Sequence, residues 1–568
     1  MKRKNRTKYY RIDKSSVKKL EKSDLLPSII EKLLILLNER YESEAFFSKA
    51  VESVIGYADY VKYEPELIKS CAKYYHKNSK KKDVKLPNYK LEQSQKIEIT
   101  ANGGMFLLAE LIKKTRMVES FNRMGIFVRQ KITEAVHILT LVMNQISGGE
   151  VIFDTRYIDK DQALKAIFGD IHIPAPHTSG DFLERFTEVY VEKLRKIIHK
   201  MQDKMLKKLR KRFGNEISIS LDSTIYEIFG NTIEKSSMSY KGVFGYHPLL
   251  MHIQNTGEML DIYLREGKEY TSTQAIDMIE HNITRTAKYF DKITLLCDSG
   301  FFDQKIIKGI KKLQDRLNQL YQNKNRKIEI KYIISAVFNN PLKGKVRNSP
   351  LSWIKPEKKA EKEGLKHRKS NTTNYRLKNL RDNLRRRNKT LKVRGNLELA
   401  DFNHTVASWE FESRFVFKRQ KITIENLTSQ LELIEPEKYF YHGYVTNIHD
   451  KTAPEIAEMI DGRGHQEKFI EDFKNGLATT HIPTKHFYGN YAYFLISMLT
   501  WNLKCWFLYI VEPDKIRWKR FRFLFVKVGV QVIKSAGYVK IRFGKGFKRF
   551  NEFVNIFEKI RKFNFEDC

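Results

Sequence analysis

Asp222, Asp298 and Glu467 are the acidic residues whose surroundings point to chemistry. Asp222 ends an apolar, alternating run in SISLDSTIYEIFG, and Asp298 ends another in ITLLCDSGFF. A lone aspartate after a strand is commonly a turn former or helix cap. In an open α/β sheet, however, sites collect at strand ends, and two such ends can bring two carboxylates together. Carboxylate oxygens are the ligands that hard divalent cations prefer. Glu467 lies in GRGHQEKFIEDFK, four residues after Arg463 and seven before Lys474, so on a helix all three share one face. The plain alternative for that triplet is a solvated, salt-bridged helix. Glu471 lies on the same side as Glu467, whereas the neighbouring His465 points elsewhere and is read as incidental.

The composition says what such a site would act on. The 568 residues include 104 Lys plus Arg against 67 Asp plus Glu, a net charge of +37. Solvation needs charge of either sign, not an excess of this size. The excess implies a polyanion, because each neutralised phosphate releases condensed counterions. Nucleic acid is favoured over a membrane surface, since the basic residues are spread along the chain and not gathered on one amphipathic anchor. The four cysteines, Cys71, Cys297, Cys505 and Cys568, form no CxxC pair, so neither a zinc ribbon nor a disulfide framework is indicated. A reducing cytoplasm fits. The basic N-terminus lacks an apolar signal segment. The most apolar stretch, Asn490 to Val511, is interrupted by Asn502 and Lys504, which favours a buried helix over a membrane span.

Hydrophobic periodicity divides the chain into six parts. Residues 1–95 read as a helical N-terminal extension, and 96–214 as a helical DNA-binding domain. In the second part, prolines and Thr178 or Ser179 predict a helix start, followed by Phe182, Phe186 and Val189 on one face. Leu194, Ile197, Met201, Met205 and Leu209 continue an amphipathic helix whose other face is Lys and Arg. That face is either an ordinary solvated one or a DNA-binding one. Residues 215–339 alternate strands and helices, which predicts a mixed α/β sheet covered by helices. Residues 340–443 read as a β-rich insertion with a basic arm, 444–514 return to the α/β pattern, and 515–568 form a basic, aromatic C-terminal region. Trp409 lies in the insertion, where it could stack on an unpaired base or fill the core of a sheet.

These motifs, in this order, resemble the DDE transposases of bacterial insertion sequences. The resemblance is to the group whose last motif is Tyr, two residues, Arg, three residues, Glu, six residues, Lys. Arg463, Glu467 and Lys474 stand at that spacing, with Ile460 at the tyrosine position. SLDST resembles the first aspartate motif and LLCDSGF the second. KGVFGYHPLLMHIQNTGEMLDIYLREGKE resembles the block that follows the first, with Glu266 and Lys268 replacing its usual proline and asparagine. RFVFKRQ and HGYVTN also resemble the family, and the likeness spans roughly residues 96–550.

The resemblance implies an RNase H-like catalytic core interrupted by the β-rich insertion. It selects Glu467 over Glu471 and implies that Asp222, Asp298 and Glu467 hold two Mg²⁺ ions, with Mn²⁺ an alternative. Arg463 and Lys474 would contact backbone phosphates, and Trp409 would touch DNA. The implied partners are double-stranded DNA, both terminal inverted repeats and target, and a second copy of the chain in a synaptic homodimer. The implied activity is cleavage of transposon ends and their joining to target DNA, in a bacterial cytoplasm at the nucleoid and without a membrane. The competing readings are a nuclease of the same fold that only hydrolyses, and a non-catalytic DNA-binding relic.

Overall fold

The computed structural model describes residues 6–76, 97–125, 131–230, 232–337, 342, 344–346, 351–354, 390–393, 397–425, 439–461, 466–512, 516–535 and 537–565. At 6, 7, 74–76, 390–393, 421–425, 440, 466 and 467 only the backbone is described. The chain forms two compact units, Met1–Ser94 and Gln95–Cys568.

The first unit is not all helical. Strand β1 (Arg6–Arg11) pairs antiparallel with β2 (Arg40–Tyr41) and β3 (Ala72–His76). Helices α1 (Lys14–Leu20), α2 (Pro27–Leu33), α3 (Glu44–Ile55) and α4 (Tyr57–Cys71) complete it. Tyr10, Leu33, Phe47, Val51, Leu67 and Cys71 form its core. RTKYYR does not alternate apolar with polar residues, so the strand went unseen among helical periodicities.

The second unit opens with β4 (Glu98–Thr100), α5 (Met105–Thr115), α6 (Met117–Asn122), α7 (Glu134–Ser147), α8 (Thr155–Lys160), α9 (Gln162–Ile167), α10 (Pro176–Glu184) and the 26-residue α11 (Glu188–Phe213). Pro176 takes the first position of α10, so neither Thr178 nor Ser179 caps it, and Val189 is 63% exposed.

A nine-stranded sheet follows. Its strands are β5 (Glu216–Ser223), β9 (Leu249–Ile253), β10 (Met259–Tyr263), β11 (Lys292–Cys297), β12 (Glu329–Ser335), β13 (Thr390–Val393), β14 (Glu398–His404), β15 (Ser413–Glu425) and β16 (Tyr439–Thr446). The order is β10-β9-β5-β11-β12-β16-β15-β13, with β14 beside β15. β10, β9 and β5 run antiparallel, and β5, β11 and β12 run parallel. Parallel neighbours need crossovers, which α12 (Ala275–Thr286) and α13 (Gln304–Tyr321) supply. Between β5 and β9, the short strands β6 (Tyr226–Glu227), β7 (Ser237–Met238) and β8 (Phe244–Tyr246) form a small sheet. The segment read as an insertion continues the main sheet, because β16 pairs directly with β12. Its basic arm lies mostly outside the described residues.

Side chains alternate across each strand. Ile217, Ile219, Leu221, Ile293, Leu295 and Cys297 face one core with α12 and α13. On the opposite face, Leu296 and Ile333 pack on Ile456, Ala457 and Ile460 of α14 (Ala453–Asp461). Ile460, at the expected tyrosine position, is thus a core residue. Next come α15 (Gln466–Gly476), α16 (Phe487–Val511), β17 (Val530–Ser535), β18 (Tyr538–Phe543) and α17 (Phe550–Lys562). α16 is long and apolar enough to span a membrane, but 83% of its most apolar window is buried inside the protein. Its polar interruptions are satisfied there: Asn502 exchanges hydrogen bonds with the Met259 backbone, and Lys504 lies 3.4 Å from Asp472. α5, α7, α10, α11, α15, α16 and α17 share one core, so 96–214 does not stand apart from the C-terminal segments.

Candidate active site

Parallel pairing of β5 with β11 sets Leu221 opposite Cys297. The next residue on each strand is Asp222 and Asp298, the latter still extended (φ −79°, ψ 172°). The two aspartates therefore stand side by side on neighbouring strands about 4.8 Å apart, on the same face. Both are half-buried at the open end of the sheet.

That face is also the one crossed by α15. His252 pairs with Ser220, two residues before Asp222, and stacks on Phe469 of α15 with ring centroids 4.3 Å apart. One turn on, Lys474 donates to the Ile225 carbonyl at 2.6 Å and lies 4.4 Å over the Tyr226 ring. Burial and the nearby Lys241 lower the Lys474 pKa to about 8, while Asp222 pulls it up. Lys474 thus belongs to the electrostatic surroundings of Asp222. Glu467 lies on the same helix, two turns before Lys474, and its side chain lies outside the described residues. Arg463 and His465, in the connection from α14, also lie outside them. Glu471 is exposed.

A polar network braces the aspartates from below. Asp222 accepts a hydrogen bond from the Ser223 amide at 2.8 Å, which fixes its orientation. The Ser223 hydroxyl lies 2.9 Å from His247 Nε2 and 3.3 Å from Thr271 Oγ1. His247 Nδ1 lies 2.8 Å from the Glu269 carbonyl, which only accepts, so Nδ1 carries the proton. Burial lowers the His247 pKa to about 4, so the ring is neutral and Nε2 accepts from Ser223. Arg265 donates to the carbonyls of His247 at 2.8 Å, Tyr270 at 3.0 Å and Thr273 at 2.5 Å. Burial of this guanidinium lowers its pKa to about 10. The loop it gathers packs on the second aspartate's turn, since a Cβ on Gly300 would come within 2.5 Å of Thr271 Cγ2. Arg265 and Thr271 thereby tie the two strand ends together. Sequence reasoning passed over His247, Arg265 and Thr271. The first two lie in the block quoted after the first aspartate, but nothing in their spacing showed that they point back at it.

Trp409 is 7% exposed and its ring is covered by Phe302, Phe411 and Phe415, with centroids at 4.8, 5.4 and 6.4 Å. It fills the core beside the Asp298 turn, and its faces are not available to a base in this conformation.

Oxygen donors from Asp222 and Asp298, partly open to solvent, suit a hard divalent cation. A second group, His199, Asp261 and His281, has ligand atoms within 4.8 Å of one another. It does not suit one. Asp261 is engaged by Arg195 Nε at 2.9 and 3.1 Å, by Asn282 at 2.9 Å and by the Ile262 amide at 3.0 Å. Arg195 holds the Asp261 carboxyl well below the usual range, against the effect of its burial. A cation would have to displace that guanidinium. This cluster is a structural network that anchors α11 to β10.

Comparison with curated proteins gives no match. Among solved structures, the piggyBac transposase in a synaptic complex with hairpin DNA aligns at 12% identity. The alignment covers 74% of this chain and 78% of that chain, with a TM-score of 0.34, too low to carry a fold argument. The family profile described as "Transposase DDE domain group 1" matches residues 92–565. With most of its length inside that match, the chain belongs to the DDE transposases of this group.

Proposed function

We propose that this DDE transposase cleaves the ends of a bacterial insertion sequence and joins them to target DNA, with Asp222, Asp298 and Glu467 as its catalytic acids. The observation that carries this reading is the in-register placement of Asp222 and Asp298, with Lys474 reaching the same place from α15. The run β10-β9-β5-β11-β12, antiparallel and then parallel, supports an RNase H-like core. The three acids would hold two Mg²⁺ or Mn²⁺ ions, whose chemistry is to activate the attacking water or DNA 3′-hydroxyl and stabilise the leaving oxygen. The Ser223 amide and the His247–Ser223 pair keep Asp222 in one orientation. Lys474 spends one of its three N–H groups on Ile225, leaving two for a backbone phosphate beside the scissile bond. Arg463 would hold a neighbouring phosphate. Membership of the Tyr-Arg-Glu-Lys group rests on the spacing of Arg463, Glu467 and Lys474. Two ends must be handled together, so the acting species is a homodimer holding both inverted repeats.

The test uses the purified chain, Mg²⁺, and a linear donor carrying the inverted repeats that flank this reading frame. Nicked ends and joined products are expected. Asp222→Asn, Asp298→Asn and Glu467→Gln should each abolish both while sparing DNA binding. Cleavage that survives any of these changes refutes the assignment, and cleavage without joining reduces the chain to a hydrolytic nuclease.

A further inference from the structure

Lys241 is an exposed cation at the tip of the β7–β8 hairpin, and the site described makes no use of it. The chain reverses tightly there. The Ser239 amide donates to the Val243 carbonyl at 2.8 Å, the Val243 amide donates to the Ser239 hydroxyl at 3.2 Å, and Gly242 takes a left-handed φ of +71°. Glycine adopts that conformation without steric cost. The hairpin belongs to the small sheet of order β6-β8-β7, whose β6 carries Tyr226, the ring beneath Lys474. Its tip reaches the brace of Asp222. Tyr240, 60% exposed, lies with its ring centroid 5.7 Å from that of His247, which contacts Ser223. The Lys241 ammonium lies 5.4 Å from the centre of the Tyr240 ring.

Two ammoniums therefore approach one place from different elements, Lys474 from α15 and Lys241 from the hairpin. After burial, the charge of Lys241 is the largest influence lowering the Lys474 pKa. Lys241 also lowers that of His247, after burial and Arg265. An ordinary surface lysine turns its head away from other cations, because its flexible stem allows it. Lys241 instead rests on Tyr240, and among the described residues no carboxylate pairs with it. Asp222 offsets the repulsion at Lys474 only in part, and its oxygens are the ones assigned to the divalent cation. Like charges held this way repel, and an anion between them removes the repulsion.

We propose that Lys241 is a further substrate-contacting residue of the active site, which shares with Lys474 one phosphate of the DNA strand being cleaved. The inference rests on the reading of this site as one that cleaves DNA. The hairpin tip is the wall of the site opposite α15. Lysine meets phosphate as a point charge, so Lys241 positions the strand and reads no base.

The experiment uses the full chain and end duplexes in which one phosphate of the cleaved strand is replaced by a neutral methylphosphonate, a single position at a time around the scissile bond. Affinity is measured in EDTA, and cleavage of the unmodified duplex in Mg²⁺. Lys241→Gln should bind and cleave the unmodified duplex roughly tenfold less well, the usual worth of one charge-assisted contact. At the position where the replacement costs wild type most, it should cost Lys241→Gln about tenfold less, while all other positions cost both equally. A loss through misfolding would not depend on position, and thermal melting should show the variant folded. Lys241→Arg should restore both the affinity and the sensitivity at that position. Penalties that are the same in wild type and Lys241→Gln at every position overturn the proposal. So does a Lys241→Gln chain that binds and cleaves like wild type. In either case wild type still binds and cleaves the ends, and only the role of Lys241 falls. A wild-type chain that neither binds nor cleaves them overturns the proposed function, and this inference with it.

Discussion

Lys474 should be held in the fold at a cost in stability, and replacing it by methionine separates that cost from its function. Its pKa falls from the ordinary 10.5 to about 8, chiefly through burial. At about 1.4 kcal/mol per pH unit, keeping the ammonium charged in the folded state costs about 3 kcal/mol at neutral pH. Methionine fills the same space without charge but leaves the Ile225 carbonyl without this donor, a loss of about 1 kcal/mol. The net expectation for Lys474→Met at pH 7 is a gain of roughly 2 kcal/mol. The sign with pH follows from the lowered pKa. Below pH 8 the lysine is ionised in both states and the full penalty applies. Between 8 and 10.5 the folded lysine has lost its proton while the unfolded one keeps it, so the advantage of methionine fades. Above 10.5 it vanishes. Denaturant melts of wild type and variant at neutral pH and near pH 11 read this directly. DNA cleavage should fall by about ten- to hundredfold, the usual worth of one charge-assisted phosphate contact. A variant less stable than wild type at pH 7, or a gain that persists near pH 11, refutes the reasoning.

Three further outcomes follow from the same geometry. Gly300→Ala places a Cβ 2.5 Å from Thr271 Cγ2, so the Asp298 turn must shift; cleavage should fall while DNA binding holds, and Thr271→Ala should restore part of it. Asp261→Asn leaves the buried Arg195 with only the more exposed Glu192 as counter-charge and should cost about 3 kcal/mol in a denaturant melt. Glu258 is fully buried and its pKa is pushed up to about 8, so its proton favours the folded state. Its contribution is present below the ordinary 4.5 and lost as pH rises to 8. Wild-type stability should therefore slope downward by as much as about 1.4 kcal/mol per pH unit across that window, and Glu258→Gln should flatten the slope.

The strands that carry the aspartates were legible because burial on both faces writes itself into the chain. LLC before Asp298 and the alternation before Asp222 read as strands without help. Their register was not legible. Nothing local in either run says that Leu221 meets Cys297, because the two strands are separated in the chain by β6–β10 and α12. For the same reason His247 and Arg265 were invisible as neighbours of Asp222. Trp409 shows another limit: VASWEFES allows a sheet-core residue or a base-stacking one and favours the core, and the covering of its ring by Phe302 and Phe411 agrees with the core reading. The helices of 96–214 were recognisable one by one. Their partners, α16 and the C-terminal segments, lie some three hundred residues away, so a domain boundary placed by composition cut through one core.

The central claim is that Asp222 and Asp298, completed by Glu467, form the cation-binding centre. Anomalous diffraction from crystals of the DNA-bound chain grown with Mn²⁺ tests it most directly. The expected result is manganese density bridging the Asp222 and Asp298 carboxylates, with Glu467 among its ligands. Manganese at His199, Asp261 and His281 instead, or none within coordinating distance of Asp222 and Asp298, contradicts it.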